Sequence, residues 1–366
     1  MMVSHLPEDL VEEILSRVPG TSLKRIRLTC KRWKALIKEP EFSEKHFRNA
    51  PKQSRLLMLK DFRLCPVIVD LNVVPPSIEF NGALNPKDSH SNSEQVDIAT
   101  VSHLDGLLLC ITRDDRLVVW NPYLGEARWI QQENGYKNYS SFNLGYENKK
   151  SGRNYKVLMH SKGFKTKGLG LVSGFEVYEF SSSTWRVVNA PKWVRTIYHR
   201  GVALKGNIYW ICHDEKDNYF LSFDFTKETF GRLCLPTSPN RGYKALSVVG
   251  EEKLLVLRNS SDTSKMDIWV TNKFNTKAEL SWSKYFSVGV NRIRPFMCLL
   301  IDEEKKVALC YNTCSRIGLD ALYTIGEDDK YFTEIPCREE PCLTLSDIWL
   351  PFIFNYVPSL VHIQSN

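Results

Sequence analysis

The feature that most constrains this fold is a pattern of paired hairpins that repeats five times after residue 97. Each unit opens with an apolar run, a polar turn and a second apolar run, as in "IATVSHLDGLLLCIT" (98–112). A second hairpin follows, with aromatic residues on both sides of its turn, as in "LVVWNPYLGEARWI". Aromatic and β-branched runs bounded by turn residues are typical of antiparallel strands. The pattern therefore predicts four strands in each unit.

The length of the unit identifies the architecture. The first turns fall near residues 106, 149, 206, 251 and 303, so the spacings are 43, 57, 45 and 52 residues. Four strands in about 50 residues is typical of a β-propeller blade. Residues 56–80 look like part of a sixth blade, and "YVPSLVHI" at the C-terminus is expected to supply its missing strand. Residues 81–97 are polar and rich in turn formers, so we expect a long exposed loop.

The first 48 residues follow a helical pattern instead. In "LPEDLVEEILSRV" (6–18) the apolar positions 6, 10, 14 and 18, with a second row at 11 and 15, lie on one helical face. Pro7 suits the first turn, and Pro19–Gly20 is expected to end the helix. A second helix is predicted through "SLKRIRLTC" and a third through "KRWKALIKE", before Pro40. The predicted fold is α+β and multidomain, with a three-helix domain at 1–48 and a β-propeller of about six blades at 49–366.

A unit of about 40 residues cannot enclose a self-sufficient core and usually needs a disulfide, a metal or a partner. The ten cysteines are scattered, form no C-x-x-C pair and lack histidines at metal-ligand spacing. Most lie in apolar runs, which favours buried free thiols in a reducing compartment. We therefore expect no metal and no cofactor, and a partner protein that covers the helices.

Residues 5–42 resemble an F-box without gaps. Gly20 and Thr29 depart from the family pattern, but Gly20 is expected in a turn and Thr29 as a cap of the third helix. The positions that agree are Leu6-Pro7, Leu10, Ile14-Leu15, Leu23, Arg27, Cys30-Lys31, Trp33, Leu36-Ile37 and Phe42. The rest of the chain is similar to the F-box-associated region of plant F-box proteins, through "LVVWNPYLGEARWI", "LGYENKKSGRNYKVL", "GNIYWI" and "YVPSLV".

The resemblance implies a function, because F-box proteins are the exchangeable receptors of SCF-type (Skp-cullin-F-box) ubiquitin ligases. The helices would bind a Skp-type adaptor, and through it a cullin and a RING protein, while the β domain would hold an unknown target protein. Such a receptor performs no bond chemistry and acts by proximity. The adaptor-binding residues carried over are Leu6, Pro7, Leu10, Ile14, Leu15, Leu23, Cys30 and Trp33. The alternative for some of these residues, above all Trp33, is that they form only the internal core of the three-helix domain.

Arginines stand just before the first strand of three predicted blades, in "YHRG", "PNRGY" and "VNRIRP". If the repeats align, these loops share one face of the propeller and form a basic, aromatic-edged pocket for an acidic or phosphorylated segment. The alternative is that these arginines are ordinary solvated loop residues without a binding role. The same alternative applies to the neighbouring Tyr198 and His199. The candidate substrate-binding residues are Arg200, Arg241, Tyr243, Arg292 and Arg294.

Charge and motifs weigh against other classes of function. The first 60 residues carry a net charge of +6 out of +7 for the chain, so the β domain is nearly neutral, unlike a nucleic-acid reader. The sequence has no H-E-x-x-H, G-x-S-x-G or phosphate-binding glycine loop, which argues against an enzyme. It has neither a secretory signal nor a membrane-spanning run, so we expect a cytoplasmic or nuclear protein without a membrane partner. An F-box scaffold or regulator outside a cullin complex stays open as the alternative.

Overall fold

A computed structural model describes the chain except for residues 1–5, 74–76, 88–94, 132–139, 151, 162–173, 195–196, 198–199, 214–217, 237–242, 260–264, 273–279, 290–297, 303–305, 315–318, 327–332, 337–351 and 364–366. Short helices come first, and the regular elements in the rest of the described chain are strands. The helices are α1 (Glu8–Ser16), α2 (Gly20–Ile26), α3 (Lys31–Leu36) and α4 (Pro40–Asn49). We call α1–α4, with Leu6 and Pro7 before them, the helical unit.

The strands form six antiparallel sheets of four strands each, so the prediction of a propeller of about six blades is confirmed. Blade 1 contains β1 (Arg55–Lys60), β2 (Arg63–Asp70), β3 (Ser77–Phe80) and β24 (Phe352–Tyr356). Blade 2 contains β4 (Ile98–Leu104), β5 (Leu107–Thr112), β6 (Leu117–Asn121) and β7 (Glu126–Ile130). Blade 3 contains β8 (Ser140–Lys149), β9 (Gly152–Ser161), β10 (Gly174–Glu179) and β11 (Thr184–Val188).

The other three blades repeat this order. Blade 4 contains β12 (Val202–Leu204), β13 (Asn207–His213), β14 (Asn218–Asp224) and β15 (Thr229–Leu233). Blade 5 contains β16 (Tyr243–Val249), β17 (Lys253–Asn259), β18 (Lys265–Thr271) and β19 (Trp282–Gly289). Blade 6 contains β20 (Cys298–Asp302), β21 (Val307–Cys314), β22 (Leu319–Gly326) and β23 (Thr333–Pro336). The innermost strands β24, β4, β8, β12, β16 and β20 surround a central channel.

The cores lie between neighbouring blades, where large apolar side chains from two sheets interlock. Between blades 3 and 4, Trp210, Phe223 and Phe225 are all fully buried. Gly145 on β8 faces the ring of Phe225, and a Cβ added there would overlap that ring. The motif "LGYEN" therefore needs its glycine because a neighbouring blade packs directly on the backbone of β8.

Tight turns set the register of the hairpins. At the β4–β5 turn, Asp105 and Gly106 have φ values of 52° and 80°, and at the β12–β13 turn Lys205 and Gly206 have 50° and 83°. Two consecutive positive φ angles are the geometry of the two-residue turns that match strand twist. Each of these turns ends an innermost strand, so they gather at one end of the channel.

The ring of blades closes as predicted, but with a different strand. The innermost strand of blade 1 is β24, "FIFNY", which pairs with β1 so that Phe354 lies opposite Leu57. The predicted closing strand "YVPSLVHI" shares only Tyr356 with it. After Tyr356 the chain leaves the sheet because its polar groups bond elsewhere: the Asn121 amide donates to the carbonyls of Ser359 (3.1 Å) and Val361 (2.8 Å). We call residues 357–363 the C-terminal strap.

The helical unit has four helices rather than three. Pro40 begins α4 instead of only ending α3, because a proline in the first turn gives up no helical hydrogen bond. Pro19 and Gly20 likewise start α2, while α1 has already ended at Ser16. The predicted capping role of Thr29 is wrong: its hydroxyl donates to the Ile26 carbonyl, and Cys30 is the N-cap residue of α3.

The predicted long exposed loop is partly packed. Leu84 forms an isolated bridge with Leu64, and Val96 is only 6% exposed. The Val96 N–H donates to the Asn85 side chain (2.9 Å), which ties the two ends of the loop together. The middle of the loop, 88–94, lies outside the described residues.

Free thiols are found at Cys30, Cys65, Cys110, Cys212, Cys234 and Cys310. Cys110, Cys212 and Cys310 are buried as expected, whereas Cys234 is exposed. Within the described ranges no group of three or more His, Cys, Asp or Glu side chains is arranged to hold a metal ion. In the same part of the chain, no helix combines the length and the apolarity needed to span a bilayer.

Candidate functional site

Helix α1 divides its apolar residues between two faces. Val11 and Leu15 point into the helical unit and are 6% and 5% exposed. Leu6, Leu10 and Ile14 are spaced four residues apart, and are 39%, 47% and 53% exposed. We call these three residues the α1 stripe. A contiguous apolar stripe left in water is typical of a surface that binds a partner.

The other predicted adaptor-binding residues are less accessible. Leu15 and Leu23 (0% exposed) belong to the core of the helical unit, and Cys30 and Trp33 are half-buried. Pro7 is exposed at the N-cap of α1. Leu28, which sequence reasoning did not single out, is a further exposed apolar residue of the helical unit (78% exposed). The available signal was an apolar residue among the charges of "RIRLTC", just beyond the end of α2.

The helical unit completes its core with residues of the β domain. Leu23, Ile37 and Phe42 pack with Leu360 of the C-terminal strap, which is 2% exposed. Tyr123, from the β6–β7 turn, packs against the same cluster. The small size of the unit predicted a partner surface, and part of that surface is supplied by the chain itself. The α1 stripe is the apolar face that remains outside this core.

Polar contacts fix the strap and blade 2 to the helices. The Ser43 hydroxyl donates to the Leu360 carbonyl (2.8 Å), and the Tyr123 hydroxyl donates to the Gly20 carbonyl. His46 is buried and its Nε2 donates to the Val18 carbonyl at 2.8 Å. Burial lowers the pKa of His46, so this ring is neutral at pH 7. The Ser43 and Tyr123 bonds tie the helical unit to the strap and to blade 2, while the His46 bond lies within the helical unit.

A charged cluster joins α4 to blades 2 and 3. The Arg153 guanidinium bonds the Asp105 carboxylate (2.8 Å), which also accepts from the Tyr155 hydroxyl (2.9 Å). The same guanidinium lies 3.8 Å from the centre of the Phe47 ring, and Glu44 lies 3.7 Å away. Burial raises the pKa of Asp105, while Arg153 opposes that rise. The cluster therefore fixes the contact of α4 with the channel end.

The central channel has a volume of about 510 Å³. This lies in the range of about 300–1,000 Å³ that is usual for ligand pockets. One end is lined by Phe47 and Lys52, which belong to α4 and the segment after it. The other end is lined by the first residues of innermost strands and by Arg200, two residues before β12. We call this second end the open mouth.

A continuous row of flat side chains runs from the open mouth into the channel. The Arg200 guanidinium lies 4.9 Å from the centre of the Phe352 ring. Phe352 stacks on Phe354 with ring centres 5.3 Å apart, and Phe354 stacks on His103 at 4.5 Å. Burial lowers the pKa of His103 to about 4, so it is uncharged at pH 7. We call these four side chains the channel stack.

Only two of the predicted substrate-binding residues lie within the described part of the chain. Arg200 is exposed and lines the open mouth. Tyr243 is the first residue of β16, so its backbone lies at the same end of an innermost strand. Arg241, Arg292, Arg294, Tyr198 and His199 lie outside the described residues. Sequence reasoning missed Phe352, Phe354 and His103, because only the closed ring brings them together.

Comparison with known proteins finds two family models that match the chain. Residues 3–45 match the F-box domain, and residues 55–363 match the F-box associated beta propeller domain. A putative F-box/kelch-repeat protein of Arabidopsis thaliana is 51% identical over 374 residues, covering 100% of this chain and 98% of that protein. An F-box protein of the same plant is 53% identical over 321 residues, covering 85% of this chain and 93% of that protein.

Among solved structures, a chain of a nidogen/laminin complex matches with a TM-score of 0.48 and 9% identity, over 84% of this chain and 100% of that chain. A likeness at this level bears on neither partner nor activity.

Proposed function

The chain belongs to the F-box proteins that carry an F-box-associated β-propeller domain, and from this we propose that it is the substrate-recognition subunit of an SCF-type ubiquitin ligase. The F-box binds a Skp-type adaptor, and the adaptor brings a cullin and a RING protein. The propeller holds the target protein. The chain itself is non-catalytic and works in the cytoplasm, the nucleus or both.

The observation that carries this proposal is the α1 stripe. Its three side chains are about half exposed although the core of the F-box is complete without them. Covering a Leu or Ile side chain that is half exposed contributes about 1 kcal/mol. The stripe is therefore a surface that an adaptor can bind by covering its apolar side chains. Pro7 and Leu28 are further exposed apolar residues of the F-box.

The joint between the F-box and the propeller supports the mechanism. A receptor subunit accelerates ubiquitin transfer by raising the effective concentration of the target near the conjugating enzyme. That gain is largest when the two binding surfaces keep a fixed distance. The strap, the Tyr123 contact and the Arg153 cluster hold the F-box on one end of the channel, while Arg200 lies at the other end.

The test is co-purification of a tagged full-length chain with adaptor and cullin from cells. We expect the wild-type chain to capture both, and Leu6→Ala with Pro7→Ala to capture neither. The variant should keep the propeller folded, since both residues lie outside its cores. Adaptor capture by the double variant would contradict the assignment of the α1 surface. Capture of adaptor without cullin would favour the scaffold or regulatory role.

A further inference from the structure

Resting on the proposed adaptor-binding role, we propose that the C-terminal strap controls adaptor binding. The outer face of α1 binds the adaptor only while Leu360 completes the F-box core from the inside. Leu360 follows the strands of all six blades in the chain, so closure of the propeller and competence for the adaptor are coupled. Leu360 is thus a positioning residue that acts through α1.

The strap lies between the F-box and the propeller and is held from both sides. The Leu360 side chain is 2% exposed in the F-box core, while Val361, 7% exposed, belongs to the core between blades 2 and 3. The Leu360 carbonyl accepts from Ser43 of α4, and the carbonyls on either side of it accept from Asn121 of β6. Release of the strap therefore removes buried contacts from the F-box and the propeller together.

Continuity with β24 couples the strap to closure of the ring. The strap follows Tyr356, the last residue of the strand that closes blade 1 on β1. The Tyr356 hydroxyl donates to the Gly106 carbonyl at 3.2 Å, and a Cβ added to Gly106 would overlap the Ser359 side chain. Four residues of extended chain span at most about 14 Å. Leu360 therefore reaches the F-box core only when β24 lies in place beside blade 2.

Helix α1 connects the strap to the adaptor-binding surface. Its inner residues Val11 and Leu15 pack in the same cluster as Leu360. Its outer residues Leu10 and Ile14 belong to the α1 stripe. Isolated helices shorter than about 12 residues are marginal in water, so the nine residues of α1 depend on this packing.

Other contacts of α1 do not replace Leu360. Lys45 of α4 lies 3.0 Å from Glu12 and 3.1 Å from Glu13, but all three side chains are at least 34% exposed. Ion pairs at that exposure contribute little to stability, and a unit of about 50 residues is marginal on its own. Loss of the Leu360 contact therefore releases α1, and only the fraction of chains with α1 in place binds the adaptor.

The first test measures the affinity of full-length variants for a purified Skp-type adaptor by calorimetry. Leu360→Asp places an unpaired carboxylate in an apolar core, so the strap leaves it, and we expect at least tenfold weaker binding. Leu360→Met keeps the side-chain volume and should bind within twofold of the wild type. The matched control is Val187→Asp, which adds the same charge at a residue of the outer strand β11 that is 72% exposed. It should bind like the wild type.

The second test uses the wild-type chain, so it decides even if Leu360→Asp fails to fold. Hydrogen exchange of the strap is measured with and without adaptor at about 100 times its Kd. The monitored N–H groups are those of Val361, which donates to the Ser359 hydroxyl, and Ile363, which donates to Glu126, both at 3.3 Å. Because coupling is reciprocal, bound adaptor should slow their exchange at least tenfold. Amides of β11 should keep their rates.

The outcomes separate this proposal from the ligase role. Undiminished binding by Leu360→Asp, or strap exchange that is the same with and without bound adaptor, would overturn the coupling and leave the ligase role standing. A wild-type chain that does not bind the adaptor would overturn both.

Discussion

Leu360→Ala tests whether the F-box depends on the C-terminal strap for its core. Leu360 is 2% exposed and packs among Leu23, Ile37 and Phe42, more than 300 positions earlier in the chain. Truncating a buried leucine costs about 2–5 kcal/mol, because the apolar contact is lost and a cavity stays behind. At about 3 kcal/mol, the opening equilibrium of the helices rises roughly 150-fold. The Ser43 bond to the Leu360 carbonyl does not involve the side chain, so the change reports the apolar contact itself.

The assay is native-state hydrogen exchange, resolved by segment. Amides of α1–α4 should lose about two orders of magnitude of protection, since they exchange through local opening of the F-box. Amides around Trp210, in the core between blades 3 and 4, should be unchanged. Val187→Ala is the control, because Val187 is 72% exposed. Unchanged protection of the helices, or an equal loss in every blade, would refute the reasoning.

Three further changes probe the interior of the propeller. Asn121→Ala should lower the free energy of unfolding in urea by about 3 kcal/mol, because the buried Val361 carbonyl loses its donor; a loss below about 1 kcal/mol would contradict this. His103 has a folded-state pKa of about 4 against a usual 6.5, so the unfolded chain binds the proton first and stability falls as the pH drops from 6.5 to 4, by up to about 3 kcal/mol. Urea titrations should show this extra loss in the wild type relative to His103→Phe, and identical pH profiles would count against it. Lys156→Met should lower stability by about 3 kcal/mol in thermal melts, because the side chain is 6% exposed and lies 2.9 Å from Glu228 of the next blade, whose pKa it helps to lower; an unchanged melting temperature would argue against this role.

The hairpins were predictable from sequence because their pairing is local. Strand alternation, turn residues and the length of the repeat are written within each unit of about 50 residues. The position of Arg200 was predictable for the same reason, because a residue just before an innermost strand always lies at the same end of the channel. Once the repeat is recognised, the number of blades follows from the chain length.

Features that depend on distant contacts were not predictable in detail. The closing strand was placed in "YVPSLVHI" because that segment is apolar, but its apolar residues pack elsewhere: Leu360 lies in the core of the F-box, and Val361 lies in the core between blades 2 and 3. The helix boundaries differ from the prediction for a related reason. Pro19 and Pro40 were each predicted to end a helix, and each instead lies at the start of one. A proline ends one helix and suits the first turn of the next, and only the packing decides between the two.

In the candidate site, too, local features were predictable and features that depend on distant contacts were not. The periodicity of α1 identified Leu6, Leu10 and Ile14 as one face, but it did not separate them from Leu15, which the structure buries. Burial depends on which face the strap and α4 cover, and that information lies at the other end of the chain. The channel stack was missed for the same reason, because Phe354 and His103 meet only when β24 closes the ring.

The most direct test of the account is the affinity of the full chain for a purified Skp-type adaptor, measured by calorimetry with and without Leu10→Ala and Ile14→Ala. Alanine favours the helix, so the double variant keeps α1 while removing most of the stripe. We predict that binding weakens about 30-fold, from about 1 kcal/mol for each half-exposed side chain, while Val187→Ala binds like the wild type. Equal affinity of the double variant and the wild type would contradict the assignment of the α1 stripe as the adaptor-binding surface.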